Sequence, residues 1–218
     1  MLTLGINCTG KWTNVGLSCC GKILSEKNEE LGRKQSEQLP LITEALLKEA
    51  GRTLSEIKLA ALAVGPGYYT GIRAGIAYGA ALAEALAIPA VPLSSLEVFV
   101  CNELESAGLF APFFKARTGL IYAALYRGGE AFKTLLEPQS ITTADFIEEI
   151  KKYPEAVLVS PDFKTYPELL QTGHKIIDRQ TASGGLCALL GERYYSSAVA
   201  PREIRGCYLR APDIGPTH

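Results

Sequence analysis

The chain has 218 residues, 47% of them hydrophobic, and a formal net charge of −1. That length and apolar content are enough for one large domain or two small lobes with a proper core. No run of Lys or Arg forms a basic stripe, so we do not expect the chain to hold nucleic acid tightly by itself. The first residues do not predict a signal peptide, and we expect the longest apolar stretch, residues 74–90, to be too interrupted for a membrane span.

The first half of the chain predicts three strands followed by alternating helices and strands. Short apolar runs predict strands at residues 2–8, 12–19 and 23–29. Apolar spacing predicts a helix at residues 36–50, with Pro40 in its first turn or at a kink and Gly51 at its end. A buried strand at 58–64, a helix at 70–87 and a short strand at 88–92 follow. The capping-box spacing of residues 94–97 (SSLE) then opens another helix.

The second half repeats this order more weakly. Strands are predicted at residues 110–116, 121–126 and 131–136, with Gly128 and Gly129 as a hairpin turn. Thr142 or Thr143 caps a helix through Lys152, a strand follows at 156–160, and a last helix covers 184–197. The similar order predicts an α/β fold of duplicated mixed β-sheet lobes flanked by helices, with lobes at residues 1–108 and 109–218.

Residues 65–71 (GPGYYTG) lie between the buried strand and the following helix. Their glycines permit a sharp turn and a close approach of backbone, and Thr70 is a candidate helix cap. A helix N-terminus attracts anions, so this loop is a candidate phosphate site, but it lacks the Lys-Ser/Thr end of a Walker loop. A tight structural connection is the favoured interpretation.

The helix after this loop has a small residue at every fourth position, which places them on one face. They are Gly71, Gly75, Gly79, Ala83 and Ala87. Each glycine costs about 1 kcal/mol against alanine within a helix, so the stripe needs a reason. Either another part of this chain packs very closely there, or a partner helix docks there. If a partner docks there, Gly75→Leu or Gly79→Leu should block dimerisation and leave the monomer folded.

Candidates for chemistry elsewhere are weak. Asn7 stands in the first hairpin, where an acidic residue would be needed to hold a metal well. Lys115 and Arg117 end a strand, and a solvated role is favoured over a contact to an acidic partner or phosphate. His174 has no ligand-spaced neighbour, and no Ser-His-Asp or Cys-His set can be assembled. The six cysteines form no CxxC pair, which indicates reduced, mostly buried thiols in a cytoplasmic protein.

Several stretches together resemble the TsaB (YeaZ) family of bacterial proteins needed to make threonylcarbamoyladenosine at position 37 of tRNA. They are residues 63–83 (AVGPGYYTGIRAGIAYGAALA), 88–97 (IPAVPLSSLE), the weaker match at 113–126 and the ending at Tyr208, Leu209 and Arg210. The sequence departs from the family pattern at four places, which indicates a divergent member. Asn7 stands where the family has Asp, Gln35 where it has His, Tyr68-Tyr69 where it has Ser-Phe, and Lys115 where it often has Asp.

The resemblance implies the actin-like/sugar-kinase-like (ASKHA) fold and a non-catalytic scaffold role. It implies a TsaD-like transferase as partner, a TsaE-like ATPase that joins the pair, a homodimer when the chain is alone, and tRNA contact only through the complex. The chain lacks the HxxxH metal pair of TsaD, so catalytic, cofactor-binding and metal residues are expected to be absent here, with ATP and metal on the partner subunits.

The resemblance also implies where the partner binds: the first helix and the helix after the glycine loop. The implied partner or dimer interface comprises Gln35, Leu39, Ile42, Leu46, Tyr69, Gly71, Ile72, Gly75, Ile76 and Gly79. The loop residues Gly65, Pro66, Gly67 and Thr70 are expected to be structural. A small ATPase or kinase of the same superfamily is a second hypothesis, and a peptidase ranks last because no nucleophile and base pair is found.

Overall fold

Two five-stranded mixed sheets form the framework of the chain. The computed structural model describes residues 1–130 and 132–209, so the predicted strand start at Ala131 and the family-like Arg210 lie outside the described residues. The first half contains β1 (Leu2–Asn7), β2 (Trp12–Cys19), β3 (Lys22–Glu30), α1 (Gln35–Glu49), β4 (Ile57–Gly65), α2 (Tyr69–Ala85), β5 (Ala90–Ser94) and α3 (Ser95–Val100). The second half contains β6 (Gly108–Arg117), β7 (Leu120–Gly128), β8 (Lys133–Thr142), α4 (Thr143–Ile150), β9 (Val157–Ser160), β10 (Lys175–Asp178) and α5 (Gly184–Arg193).

Both sheets have the same topology, which confirms the predicted duplication. The first has the strand order β3-β2-β1-β4-β5 and the second the order β10-β9-β6-β7-β8. In each, three strands form an antiparallel meander, a fourth strand pairs in parallel with the first strand of the meander, and a fifth pairs in parallel with the fourth. The flanking helices complete the expected ASKHA-like architecture.

Three local predictions were wrong in detail. Strand β10 was missed because it has four residues at a sheet edge, three of them exposed, and therefore no apolar run. The last helix ends at Arg193 and is followed by a 3-10 turn at Tyr195–Ser197. The Ser94 side chain makes no cap hydrogen bond, and Glu97 instead accepts a hydrogen bond from Tyr194 Oη.

Other local predictions are confirmed. Thr142 caps α4, because its hydroxyl oxygen accepts a hydrogen bond from the backbone N–H of Asp145 at 3.0 Å. Gly51 follows α1 with a φ of +62°, the left-handed conformation expected after a helix. Pro40, by contrast, was predicted in the first turn or at a kink and lies in the second turn of α1, on an exposed side.

Helix α2 approaches the first sheet so closely that its glycines leave no room for side chains. A β-carbon at Gly71 would overlap the carbonyl oxygen of Cys8, and one at Gly79 would overlap the side chain of Leu62. At Gly75 a β-carbon would lie 3.3 Å from the Cys8 β-carbon. The glycine stripe therefore faces this chain's own sheet, which decides between the two explanations offered for it.

Helix α5 makes a matching approach to the opposite face of the same sheet. A β-carbon at Gly16 would overlap the backbone of Gly185, and one at Gly5 would overlap that of Ala188. The second half of the chain thus supplies a helix to the first sheet. The division into lobes at residues 108 and 109 stays a prediction, and this helix crosses it.

The core consists of three apolar layers. One lies between α1, α2 and the outer face of the first sheet, and one fills the space between the sheets around α3 and α5. The third lies under α4, on the far face of the second sheet. Among the described residues, no helix is both long and apolar enough to span a membrane.

We expect Gly71→Ala to lower the free energy of unfolding by about 1–3 kcal/mol, the usual cost of overpacking a tight contact. Thr70→Ala, at the exposed neighbouring position, is the control and should change that free energy by less than about 0.5 kcal/mol. Urea unfolding measures both differences. A Gly71→Ala variant as stable as the control would contradict the close-approach explanation.

Candidate functional site

A cleft of about 230 Å³ opens between the two sheets. It lies beyond the carboxyl ends of parallel strands from both sheets, the usual position of ligand sites in α/β folds. Its walls come from the β1–β2 hairpin, the loop after β4, the end of β6, the turn after β9 and the segment before α5. The lining residues include Asn7, Lys11, Trp12, Tyr68, Phe114, Lys115, Asp162 and Thr181.

Asn7 lies in the cleft at the position where an acidic residue would be needed to hold a metal ion. Its side-chain oxygen already accepts hydrogen bonds from within the chain. The side chain is 5% exposed. Its Oδ1 accepts hydrogen bonds from the backbone N–H of Thr9 at 3.1 Å and from the Thr9 hydroxyl at 2.7 Å. An amide oxygen has two lone pairs, so both are used to hold the turn of the hairpin.

Three asparagines form a row across β1, β2 and β3 at the base of the cleft. Asn7 lies directly opposite Asn14, and Asn14 lies directly opposite Asn28. Asn14 Nδ2 contacts Asn28 Oδ1 at 2.9 Å, Thr181 Oγ1 at 2.7 Å and the Ala182 carbonyl oxygen at 3.0 Å. Sequence reasoning missed this row. The feature of the sequence that could have revealed the row is an asparagine within or at the end of each of three consecutive predicted strands.

The N-terminus of α5 lies beside this row and is closed by side chains. The Gly184 N–H donates to Asn28 Oδ1 at 3.1 Å, and the Gly185 N–H donates to Glu26 Oε2 at 2.9 Å. The Leu186 N–H donates to Ser183 Oγ at 3.0 Å. Because free N–H groups are what a helix N-terminus offers a phosphate, these contacts leave an anion little to bind.

The glycine loop after β4 packs on the first hairpin. The Tyr68 N–H donates to the Thr9 carbonyl oxygen at 2.7 Å, and a β-carbon at Gly67 would lie 2.8 Å from the Thr9 β-carbon. Gly65 has a φ of +119°, which L side chains rarely adopt. Thr70 lies within the first turn of α2 and is not its cap, because the helix begins at Tyr69.

The charged groups of the cleft are few and of both signs. Lys11 and Lys115 are exposed, and the backbone N–H of Lys115 donates to Asp162 Oδ2 at 2.7 Å. Burial raises the pKa of the neighbouring Cys8 thiol to about 12, so Cys8 is a protonated packing residue. Within the described residues, no cluster of three or more His, Cys, Asp or Glu side chains is placed to hold a metal ion. At Asn7, a neutral amide whose oxygen is already engaged, no charged ligand is offered to a magnesium ion.

His174 and Arg117 lie outside any catalytic arrangement. His174 Nε2 is 3.2 Å from the carbonyl oxygens of both Ile150 and Tyr153. This half-buried ring therefore links the end of α4 to the start of β10. Arg117 is an exposed strand-end residue whose carbonyl oxygen accepts a hydrogen bond from Tyr166 Oη at 3.1 Å.

Most residues predicted for a partner interface are inside the chain. Leu39, for example, has no exposed surface, and the glycines of α2 face the sheet. The buried members of the predicted set are Gln35, Leu39, Ile42, Leu46, Gly71, Ile72, Gly75 and Gly79. Gly75→Leu or Gly79→Leu would therefore disturb the monomer itself, and the contact of these residues with a partner stays a prediction. Helical periodicity identified the packed face of each helix correctly but could not say what covers it.

The outward faces of α1 and α2 carry the exposed positions. Tyr69 is exposed and Ile76 half-buried, as is consistent with their predicted place in an interface. Leu41 on α1 is 57% exposed, the highest value among the large hydrophobic side chains described. Tyr69 also contacts Tyr208, with ring centroids 5.1 Å apart, and the Arg73 guanidinium lies 5.4 Å from the Tyr69 centroid.

We expect neither the wild type nor Asn7→Asp to bind Mg-ATP with micromolar affinity. The added carboxylate would still accept the Thr9 hydrogen bonds, and the α5 N–H groups would remain covered. Isothermal titration calorimetry measures this, with circular dichroism as the check that the variant is folded. Micromolar binding by the wild type would contradict this account of the cleft and favour a small kinase or ATPase.

Residues 23–181 match the family model described as TsaD, tRNA N6-adenosine threonylcarbamoyltransferase. The tRNA threonylcarbamoyladenosine biosynthesis protein TsaB of Bacillus subtilis is 29% identical over 159 residues, which cover 72% of this chain and 69% of that protein. Matches to several curated transferases span only about a third of those proteins' length or less.

Two solved structures report on the fold. An uncharacterized protein with similarity to peptidase YEAZ from Pseudomonas aeruginosa superposes with a TM-score of 0.82 at 21% identity, covering 96% of this chain and 99% of that one. The ROK hexokinase of Thermus thermophilus superposes with a TM-score of 0.55 at 14% identity, covering 90% of this chain and 100% of that one. Likeness to a sugar kinase agrees with the duplicated two-sheet topology.

Proposed function

Because this chain belongs to the family of tRNA N6-adenosine threonylcarbamoyltransferases, and within it resembles the TsaB (YeaZ) group, we propose that it is a partner subunit in threonylcarbamoyladenosine synthesis. In this proposal it has no activity of its own. It binds and activates a TsaD-like transferase, which adds threonylcarbamoyl to adenosine 37 of tRNA.

The observation that carries the proposal is the engagement of Asn7. A neutral amide supplies no charge for a divalent ion, and its oxygen is used by Thr9. The adjoining helix N-terminus is closed by Asn28, Glu26 and Ser183. The cleft therefore has the position of a ligand site, but the polar atoms of Asn7 and of the α5 N-terminus bind other groups of the chain. This arrangement suits a subunit that acts through its surface.

The outward faces of α1 and α2 are the surface through which it would act. They expose Leu41 and Ala45 on α1 and Ala77 and Ala81 on α2. The two helices lie side by side on the first sheet, and their inward faces hold them rigidly through the core. Small and apolar exposed side chains let another helix approach, and a rigid backing lowers the entropy lost on binding.

The remaining partners follow from the same proposal. The face formed by α1 and α2 would join two copies in a homodimer when the transferase is absent. A TsaE-like ATPase joins the pair, tRNA is contacted through the complex, and ATP and metal belong to the partner subunits. The setting is the cytoplasm, where tRNA is modified.

The test is co-purification of the chain with the TsaD-like protein of the same cell. We expect Ala77→Arg to weaken that association at least about tenfold, because an unpaired guanidinium would be buried in the interface. Sedimentation of the chain alone should show loss of the homodimer in the same variant. Ala77 is exposed in the monomer, so thermal unfolding should be nearly unchanged.

The matched control is Ala144→Arg, which adds the same side chain at an exposed position on α4. That helix packs on the far face of the second sheet, away from α1 and α2. It should leave both assemblies intact. If the wild type fails to associate with the transferase, the partner role is wrong. If the wild type associates and Ala77→Arg associates as well as Ala144→Arg does, the partner role stands but this surface is not the interface.

A further inference from the structure

Two adjacent cysteines meet at the tip of the β2–β3 hairpin. Cys19 is the last residue of β2 and is half-buried, and Cys20 is exposed in the turn. Their sulfur atoms are 3.7 Å apart, which is van der Waals contact. Neither side chain has a part in the cleft or in the faces of α1 and α2.

The turn conformation brings these sulfurs together. Neighbouring side chains in a strand point to opposite faces of the sheet, so two strand cysteines would diverge. Cys20 instead has a φ of +51°, in the left-handed region, and Gly21 follows with a φ of +76°. Two positive φ values are typical of a tight hairpin turn, where Asn-Gly is the preferred pair. A cysteine there is strained, because its β-carbon crowds the backbone, and such outliers often mark a functional position.

The other four cysteines differ from this pair in environment. Burial raises the pKa of the thiols of Cys8 and Cys101 to about 12, and it also raises the pKa values of Cys187 and Cys207. A thiol reacts as its thiolate, so those four are poor nucleophiles near neutral pH. Cys20 differs, because it is exposed and the Met1 amino group, 3.4 Å from Cys20 Sγ, lowers the pKa of its thiol and favours the thiolate.

We propose that Cys19 and Cys20 are an oxidisable site that forms a vicinal disulfide by exchange with a low-molecular-weight disulfide. The Cys20 thiolate attacks one sulfur of the small disulfide, whose S–S bond breaks, and one small thiol leaves with a proton. Cys19 Sγ then attacks the sulfur of Cys20 in this mixed disulfide and releases the second small thiol. The protein loses two hydrogen atoms, and the small disulfide is reduced to two thiols.

The resulting bond is expected to be easily reduced. Adjacent α-carbons across a trans peptide are about 3.8 Å apart, below the usual range of roughly 4.4–6.8 Å for disulfide-linked residues. Strained, exposed disulfides have oxidising potentials and serve as reversible ones. A β-carbon built on Gly21 meets no atom within 4 Å, so that side of the turn is open, while the Gly21 N–H donates to Glu192 Oε2 at 3.0 Å and ties the turn to α5.

Intact-protein mass spectrometry of the full chain after incubation with oxidised glutathione tests this. We expect the wild type to lose the mass of two hydrogens and retain no glutathione, with peptide mapping assigning the bond to Cys19 and Cys20. Cys19→Ser should retain one glutathione on Cys20, because no neighbouring thiol remains to displace it. Excess reduced glutathione should restore the original mass of the wild type.

Cys207→Ser is the matched control and should behave as the wild type does, since Cys207 is half-buried and remote from the hairpin in the fold. The proposal is overturned if the wild type stays reduced, if it retains glutathione on Cys20, if its disulfide maps to another pair, or if reduced glutathione fails to reverse it. Circular dichroism of each variant checks that it is folded, so that a misfolded variant is not mistaken for one with changed thiol reactivity.

Discussion

Helices α2 and α5 touch opposite faces of the first sheet through backbone, and the positions of the other elements depend on that double contact. Gly71 and Gly79 provide the approach on one face, and Gly16 and Gly184 provide it on the other. Each helical glycine costs about 1 kcal/mol in helix propensity, which the close packing must offset. Because α5 comes from the second half of the chain, its contact also joins the two halves and sets one wall of the cleft.

The cleft has the geometry of a ligand site, and a few side chains decide whether such a cleft binds a ligand or only joins parts of the structure. Carboxyl ends of parallel strands meet there, as they do in ligand sites of α/β folds. In this chain the asparagine row of β1, β2 and β3 ties the first hairpin to the segment before α5. Donors and acceptors that could bind a ligand bind each other instead. These hydrogen bonds strengthen the contact between the first and second halves of the chain.

Helices α1 and α2 divide two tasks between their two faces. The inward faces are apolar or bare and are buried against the sheet, so they contribute to folding. The outward faces carry Leu41, Tyr69 and small side chains, and they are free of that packing role. Substitutions on the two faces therefore report on different properties, stability on the inner face and assembly on the outer face.

The sequence alone determined the order of the strands and helices apart from β10, the duplicated order of the two halves, the tight turn at residues 65–67 and the family. These depend on local periodicity and short motifs, which neighbouring residues specify. Only the tertiary structure decided that the glycines of α2 face this chain's own sheet, that Asn7, Asn14 and Asn28 are in register, and that α5 belongs to the first sheet. Those facts depend on which distant segments meet, and periodicity along the chain specifies a face without specifying its neighbour. The short edge strand β10 was missed for the same reason, since only its pairing with β9 makes it a strand.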